Sequence, residues 1–344
     1  MDPYQRLEVE YAKAINNWGP LNNLADPERL VVCSSGTAAL HLALETATIP
    51  FNSHVIVPDY TMIACARAVT LADLHPIFGD CTESLLMDLS LIDKLLMNDV
   101  AVREHTEALM TVHVYGRMSH QEHAAQIANT YDLFLMEDMA EAHGLQPHPR
   151  TDAACWSFYR NKIVAGEEGG AILFRNPKDA VRARQLRSMG FTADHDYRHL
   201  ARGNNYRLSN VHSHLILDSL DELPMNLEAR LKQVMLYDHF CPDMWRMPPR
   251  QSPWVYDMRI RGLKKAGQDL LVNMLKREGI QARHGFVPMT RQPEYHQRDV
   301  KSPVADRLCS EIIYLPVHPR YVTADTIEKA MRLIRAAVKV TGTA

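Results

Sequence analysis

The sequence has no CxxC pair, no HExxH, no GxGxxG and no GxxxxGK[ST]. Each absence removes a class: the redox dithiol and structural zinc, the zinc protease, the Rossmann dinucleotide turn and the P-loop. Six cysteines (33, 65, 81, 155, 241 and 309) are scattered along the chain, as expected of reduced thiols in the core of a cytoplasmic protein. No apolar run approaches the ~18 residues that span a bilayer, so no membrane partner is expected. The opening MDPYQRLEVE carries acidic residues where a signal peptide is basic. Charge of one sign is missing too: 38 basic and 41 acidic residues leave a net −3. No global field draws the chain onto nucleic acid.

What is present is ordinary for a globular chain: 344 residues, 46% hydrophobic and 23% charged. That length is about twice a ~150-residue domain, which predicts one large or two unequal units. From residue 30, short β-branched runs alternate with helical stretches. Leu30–Cys33, His54–Val57, His75–Phe78, Leu109–Val114, Leu133–Met136, Cys155–Phe158 and Ala171–Phe174 read as strands. Helices are expected after SSGT (34–37) and over 62–71, 121–131 and 178–189. Such alternation predicts an α/β fold with a mostly parallel, helix-covered sheet. Beyond residue 222 the pattern changes to helices at 225–240 and 268–278 around a strand at 254–260, closed by a helix at 324–338. The expected domains are 1–222, with an N-terminal helical segment, and a smaller α+β unit at 223–344.

Three segments can carry chemistry. The small residues of SSGT, between a strand and a helix, leave backbone N–H groups at the positive end of the helix dipole, where a phosphate can sit. The same residues also serve turn geometry alone. Glu137-Asp138 ends a strand at the sheet edge where α/β proteins gather ligands; a carboxylate there holds a cation or caps a helix. Ser157 to Lys162, followed by Gly166 to Gly170, places a lysine where it could act as a Schiff-base amine or be a solvated surface charge. In chain order, a phosphate turn, an acidic strand end, a serine and a lysine make the layout of a pyridoxal-phosphate enzyme.

The motifs SSGTAAL, VPDYTMIA, HPIFGD, HVYG, EDMAEAHG, SFYRNK, GNNYRLSN, GIQARHGFVP and LPVHP, in this order, resemble the DegT/DnrJ/EryC1/StrS aminotransferases. The wording of SFYRNK and EDMAEA is similar to the perosamine-synthase branch. The resemblance implies the type I fold of pyridoxal-phosphate enzymes, like that of aspartate aminotransferase, and pyridoxal 5'-phosphate as cofactor. It implies a homodimer with shared active sites, in which an amino group moves from an amino acid donor, by family habit L-glutamate, to a nucleotide-linked keto sugar. By the same resemblance Gly36 and Thr37 match the phosphate turn, Asp138 the partner of the pyridine nitrogen, and Glu141 a polar group near the phenolic oxygen. Ser157 matches a phosphate-binding hydroxyl, Lys162 the lysine that carries the cofactor, and Asn205 an asparagine reaching the phosphate from the neighbouring subunit. Members with histidine at the lysine position are dehydratases, so Lys162 points to transamination.

The chain departs from the family pattern at three places. Met62 stands where an aromatic residue stacks on the pyridine ring. AGEEGG replaces TGEGG, with Glu167 at a glycine position. The stretch from Gly144 to Asp152 is short. Tyr159, Glu167 and Arg207 are the expected substrate contacts. Arginines 182, 184, 187, 198, 202 and 207 form either a solvated face or a clamp for a diphosphate, with a nucleic-acid substrate, which would use the same chemistry, ranked below these because the net charge is slightly acidic. Another acceptor, such as a modified nucleoside, another reaction such as decarboxylation, or a non-catalytic cofactor-binding protein are the alternatives.

Overall fold

The computed structural model describes residues 3–191, 197–296 and 302–341. In chain order the elements are α1 (Pro3–Asn17), β1 (Leu30–Cys33), α2 (Gly36–Thr46), β2 (His54–Pro58), α3 (Ala64–Leu71), β3 (His75–Gly79), α4 (Leu89–Asn98), α5 (Val100–His105), β4 (Thr106–Val112), α6 (Gln121–Thr130), β5 (Phe134–Asp138), β6 (Ala153–Ser157), β7 (Gly170–Phe174) and α7 (Pro177–Arg187). They are followed by α8 (Asn210–Asp221), α9 (Leu223–Phe240), β8 (Val255–Arg259), α10 (Lys265–Arg277), β9 (Arg283–His284), α11 (Pro303–Glu311), β10 (Ile312–Pro316) and α12 (Ala324–Thr341).

Seven strands form one sheet in the order β1-β7-β6-β5-β4-β2-β3. The pairs β6/β5, β5/β4, β4/β2 and β2/β3 are parallel; β7 runs antiparallel to β1 and β6. The strands are apolar at nearly every position because helices cover both faces, as β1, β6 and β7, buried throughout, illustrate. This is the α/β architecture expected from the alternation. The parallel order brings the carboxyl ends of β4, β5 and β6 side by side, with Val112, Asp138 and Cys155 in register.

A second, antiparallel sheet, β8-β10-β9, carries its own core with α9, α10 and α12, built around Val234, Tyr237, Leu271, Ile313 and Ile334. The expected boundary after residue 222 falls between α8 and α9. Across the two sheets Arg117 and Arg250 converge on Asp257, which is fully buried. Arg117 Nη1 and Nη2 lie 2.8 and 2.9 Å from its two oxygens, and Arg250 Nη2 lies 3.0 Å away. Burial alone would raise the Asp257 carboxyl; the two guanidiniums outweigh it and hold it below its ordinary range.

α1 is part of the main core. Its Tyr11 hydroxyl meets His143 Nδ1 at 3.0 Å, and His143 Nε2 meets the Ser157 carbonyl at 3.0 Å. The carbonyl only accepts, so Nε2 carries the hydrogen and Nδ1 accepts from Tyr11. Burial pushes the His143 imidazole down to about 3, which keeps it neutral in this role. Glu8, also on α1, takes Arg184 and Arg187, which further donate to the carbonyls of Leu30 and Val32. These two arginines fasten α7 to β1, so the expected diphosphate clamp does not include them.

All six cysteines are free thiols; five are buried and Cys309 is half-buried. Among the described residues no helix is long and apolar enough to cross a membrane.

Candidate active site

A cavity of about 420 Å³ opens at the carboxyl ends of the parallel strands. Gly36, Thr37, Met62, Asp138, Glu141, Ser157, Tyr159 and Lys162, all expected from the sequence, line it. Its size is within the ordinary ~300–1,000 Å³ of ligand pockets.

The first wall is the N-terminus of α2. Ser35 caps the helix: its hydroxyl takes the N–H of Ala38 and its carbonyl the N–H of Ala39. The N–H groups of Gly36 and Thr37 are left without a partner among the described residues and form the positive end of the α2 dipole. Glycine is required at 36 because a Cβ there would lie 2.7 Å from Ser157 Cβ. That close approach brings the helix start against the Ser157 hydroxyl. Two N–H donors, a threonine and a serine around an open cavity form a donor set that fits a phosphate dianion.

The second wall is the end of β5. Side chains alternate along a strand, so Asp138 and Glu137 face opposite ways. Asp138 looks into the cavity. Glu137 is buried behind it, accepting from His113 Nε2 at 2.8 Å, Gln121 at 2.7 Å, the His148 N–H at 2.7 Å and the Thr151 hydroxyl. One carboxylate fixes the strand end and the other serves the cavity. Asp138 Oδ1 accepts from the Ala140 N–H at 2.9 Å, and Oδ2 from the Cys65 thiol at 3.1 Å.

Lys162 sits opposite, in the loop after β6. Its Nζ lies 3.5 Å from Glu141 Oε1 and 4.1 Å from the centroid of the Trp254 ring. Glu141 Oε2 accepts the Tyr115 N–H at 2.7 Å. That N–H is presented by a backbone turn in which Tyr115 takes a φ of 55°, unusual outside glycine. Burial pushes the Glu141 carboxyl up to about 7, against the opposing pull of Lys162.

Other expected residues lie elsewhere. Glu167 does not face this cavity; its neighbour Glu168 does, because Glu167 adopts a φ of 66° and belongs to an adjoining pocket that also touches Lys162. Asn205 and Arg207 are exposed and line no part of the cavity of their own chain. Asn205 pairs with Ser188 in an isolated bridge, and Tyr206 between them accepts the Ser34 N–H at 2.8 Å. Met62 is half-exposed on the cavity wall, its sulfur accepting the Ala64 N–H at 3.1 Å. A thioether can pack on a ring face there.

Sequence reasoning missed the residues that close the cavity from the second sheet: Trp254, Arg283, Phe286 and Tyr314. Arg283 and Tyr314 are directly opposed on β9 and β10. The signal was partly there, since Trp254 opens an expected strand and Arg283 and Phe286 stand in GIQARHGFVP. Cys65 and Cys155, which no motif in the sequence ties to Asp138, flank it.

On one cavity the α/β fold gathers a lysine, a strand-end carboxylate and a helix N-terminus, the donor set of a cofactor-dependent enzyme. The family model of the DegT/DnrJ/EryC1/StrS aminotransferase family matches residues 21–335, and the chain belongs to that family. It is 28% identical over 335 residues to the GDP-perosamine synthase of Caulobacter vibrioides, covering 93% of this chain and 87% of that protein. It is 25% identical over 310 residues to the UDP-2-acetamido-2-deoxy-3-oxo-D-glucuronate aminotransferase of Pseudomonas aeruginosa, covering 86% and 82%. The structure superposes on the aminotransferase TlmJ of Streptoalloteichus hindustanus with a TM-score of 0.87 at 22% identity, covering 99% of this chain and 92% of that one.

Proposed function

We propose that the chain is a pyridoxal 5'-phosphate-dependent aminotransferase that moves the amino group of L-glutamate to a keto group of a nucleotide-linked sugar. In this reading it works in the cytoplasm as a homodimer with shared sites. The observation that carries it is the convergence of Lys162, Asp138, Glu141 and the unpaired N–H groups of Gly36 and Thr37 on one cavity. The two relatives named above support the sugar acceptor, because their names place GDP or UDP on an amino-sugar product or keto-sugar substrate. Those names also differ in carrier and sugar. Free thiols at all six cysteines fit a reducing compartment.

When bound, pyridoxal phosphate supplies a carbonyl that takes the amino group and a ring that accepts the electrons of the broken C–H bond. Gly36, Thr37 and Ser157 hold the phosphate. Asp138 keeps a proton at the ring nitrogen. Glu141 orders Lys162 Nζ, which would bind the cofactor's aldehyde and would move a proton at the substrate carbon. The Trp254 ring, 4.1 Å from that amine at its centroid, keeps water from it on one side. In the homodimer, Asn205 of one protomer completes the phosphate shell of its partner, in keeping with its exposure outside its own cavity.

The test uses borohydride on the cofactor-loaded protein, followed by peptide mass spectrometry. The expected result is one adduct, on Lys162. A labelled lysine elsewhere refutes the assignment. The loaded enzyme is then converted to the amine form with L-glutamate and offered keto sugars on GDP, UDP and dTDP. Return of the original absorbance with a non-sugar carbonyl and with none of these would refute the acceptor.

A further inference from the structure

Asp138 is held by more than its own turn. Cys65 enters from α3, fully buried, with its sulfur 3.1 Å from Asp138 Oδ2. On its other side the same sulfur lies 3.6 Å from the hydroxyl of Thr61, which is also buried. A carboxylate only accepts, so the thiol donates to Asp138, and its lone pairs are free to accept from Thr61. Thr61, Cys65 and Asp138 thus form a directed chain of three groups, ending on the oxygen that the Ala140 N–H does not hold.

We propose that Cys65 is a positioning residue: by donating to Oδ2 it fixes the orientation of the Asp138 carboxylate toward the cofactor's ring nitrogen, so that the ring keeps its proton. This rests on the reading that Asp138 receives the pyridine nitrogen of pyridoxal phosphate. With the Ala140 N–H on Oδ1 and the Cys65 thiol on Oδ2, the carboxylate is held in one orientation. The thiol is suited to this task because burial, and then the Asp138 charge, push it well above its ordinary range and keep its hydrogen in place. The other titratable groups around Asp138 are Cys155 from β6 and, in the cavity, Glu141 and Lys162. None of the three donates to Oδ2.

The experiment compares wild type, Cys65→Ser, Cys65→Val and Cys65→Ala, each loaded with pyridoxal phosphate. Serine keeps a donor, valine keeps the bulk without one, and alanine removes the donor without adding bulk should valine perturb folding. The single-turnover rate with L-glutamate should fall about tenfold in the valine and alanine variants, the effect of one hydrogen bond to a charged group. The donor concentration giving half-maximal rate should not move. The pH midpoint of the absorbance of cofactor bound at Lys162 should rise in those two variants, because a ring that has lost its proton withdraws fewer electrons. Serine should restore both readings to within about threefold. Valine and alanine variants that match wild type overturn the proposal. So does a serine variant that falls as far as they do, since packing alone would then explain the loss. Asp138→Ala, run alongside, separates the two levels: an unchanged rate there overturns the role of Asp138 and this proposal together.

Discussion

Glu141 offers a quantitative test of how the cavity balances burial against charge. Its carboxyl is raised from an ordinary 4.5 to about 7 by burial, with Lys162 and the Tyr115 N–H pulling the other way. Between those values the folded chain keeps a proton that the unfolded chain has released. The folded state then binds more protons, so stability falls as pH rises through this window. The stabilising contribution is complete below about 4.5 and lost as pH passes about 7. The span corresponds to ~3 kcal/mol, to order of magnitude. Glu141→Gln is neutral at every pH and should lack this slope. With an unfolding entropy of ~2.1 cal/mol/K per residue, ~3 kcal/mol is about 4 °C in Tm for a chain of this size. Thermal scans of the cofactor-free wild type and variant, from pH 4.5 to 8, should show the wild type losing about that much relative to the variant. Parallel profiles would refute the reasoning. A wild type that gains on the variant as pH rises would mean that the Lys162–Glu141 pair outweighs burial.

Asp138→Ala should leave circular dichroism unchanged while slowing proton removal from the donor by about a hundredfold or more in stopped-flow absorbance, for lack of a charge holding the ring proton. Gly36→Ala should weaken cofactor retention, because the new Cβ meets Ser157 Cβ at 2.7 Å and pries the helix start from the hydroxyl; equilibrium dialysis reads the loss. Asn205→Ala mixed with Lys162→Ala should regain activity that neither has alone, since one site of the mixed dimer then holds both native residues. No regain after proven subunit exchange would place Asn205 outside the partner's site.

The first half of the site was legible because its residues sit where local pattern is strongest. Gly36 and Thr37 open a helix directly after an apolar run, and Asp138 and Ser157 end β5 and β6. Strand β1 falls on the expected residues, while β4 runs over Thr106–Val112 rather than 109–114. The chain leaves that strand early for the left-handed turn at Tyr115, which no alternation of apolar residues announces. Helices α4, α5, α8 and α11 were not read, and neither was the contribution of the second sheet. Trp254 reaches Lys162 through contacts between residues far apart in sequence, among them Arg117 with Asp257, 140 positions apart, and Thr290 with Asp59. Glu167, with its positive φ, lines the adjoining pocket that also touches Lys162, while Glu168 meets the main cavity, a division that no local pattern announces.

The line from Tyr11 through His143 to the Ser157 carbonyl gives the first helix a share in the cofactor site. A segment that looks like an appendage on the sheet is the outer end of a strut whose inner end is the last residue of β6, Ser157, five residues before Lys162. For protein engineering this reverses the usual assumption about where a chain can be trimmed or fused. Residues 3–17 are scaffolding for the segment that carries Ser157 and Lys162, and the free design space lies on exposed surfaces such as the outer face of α12.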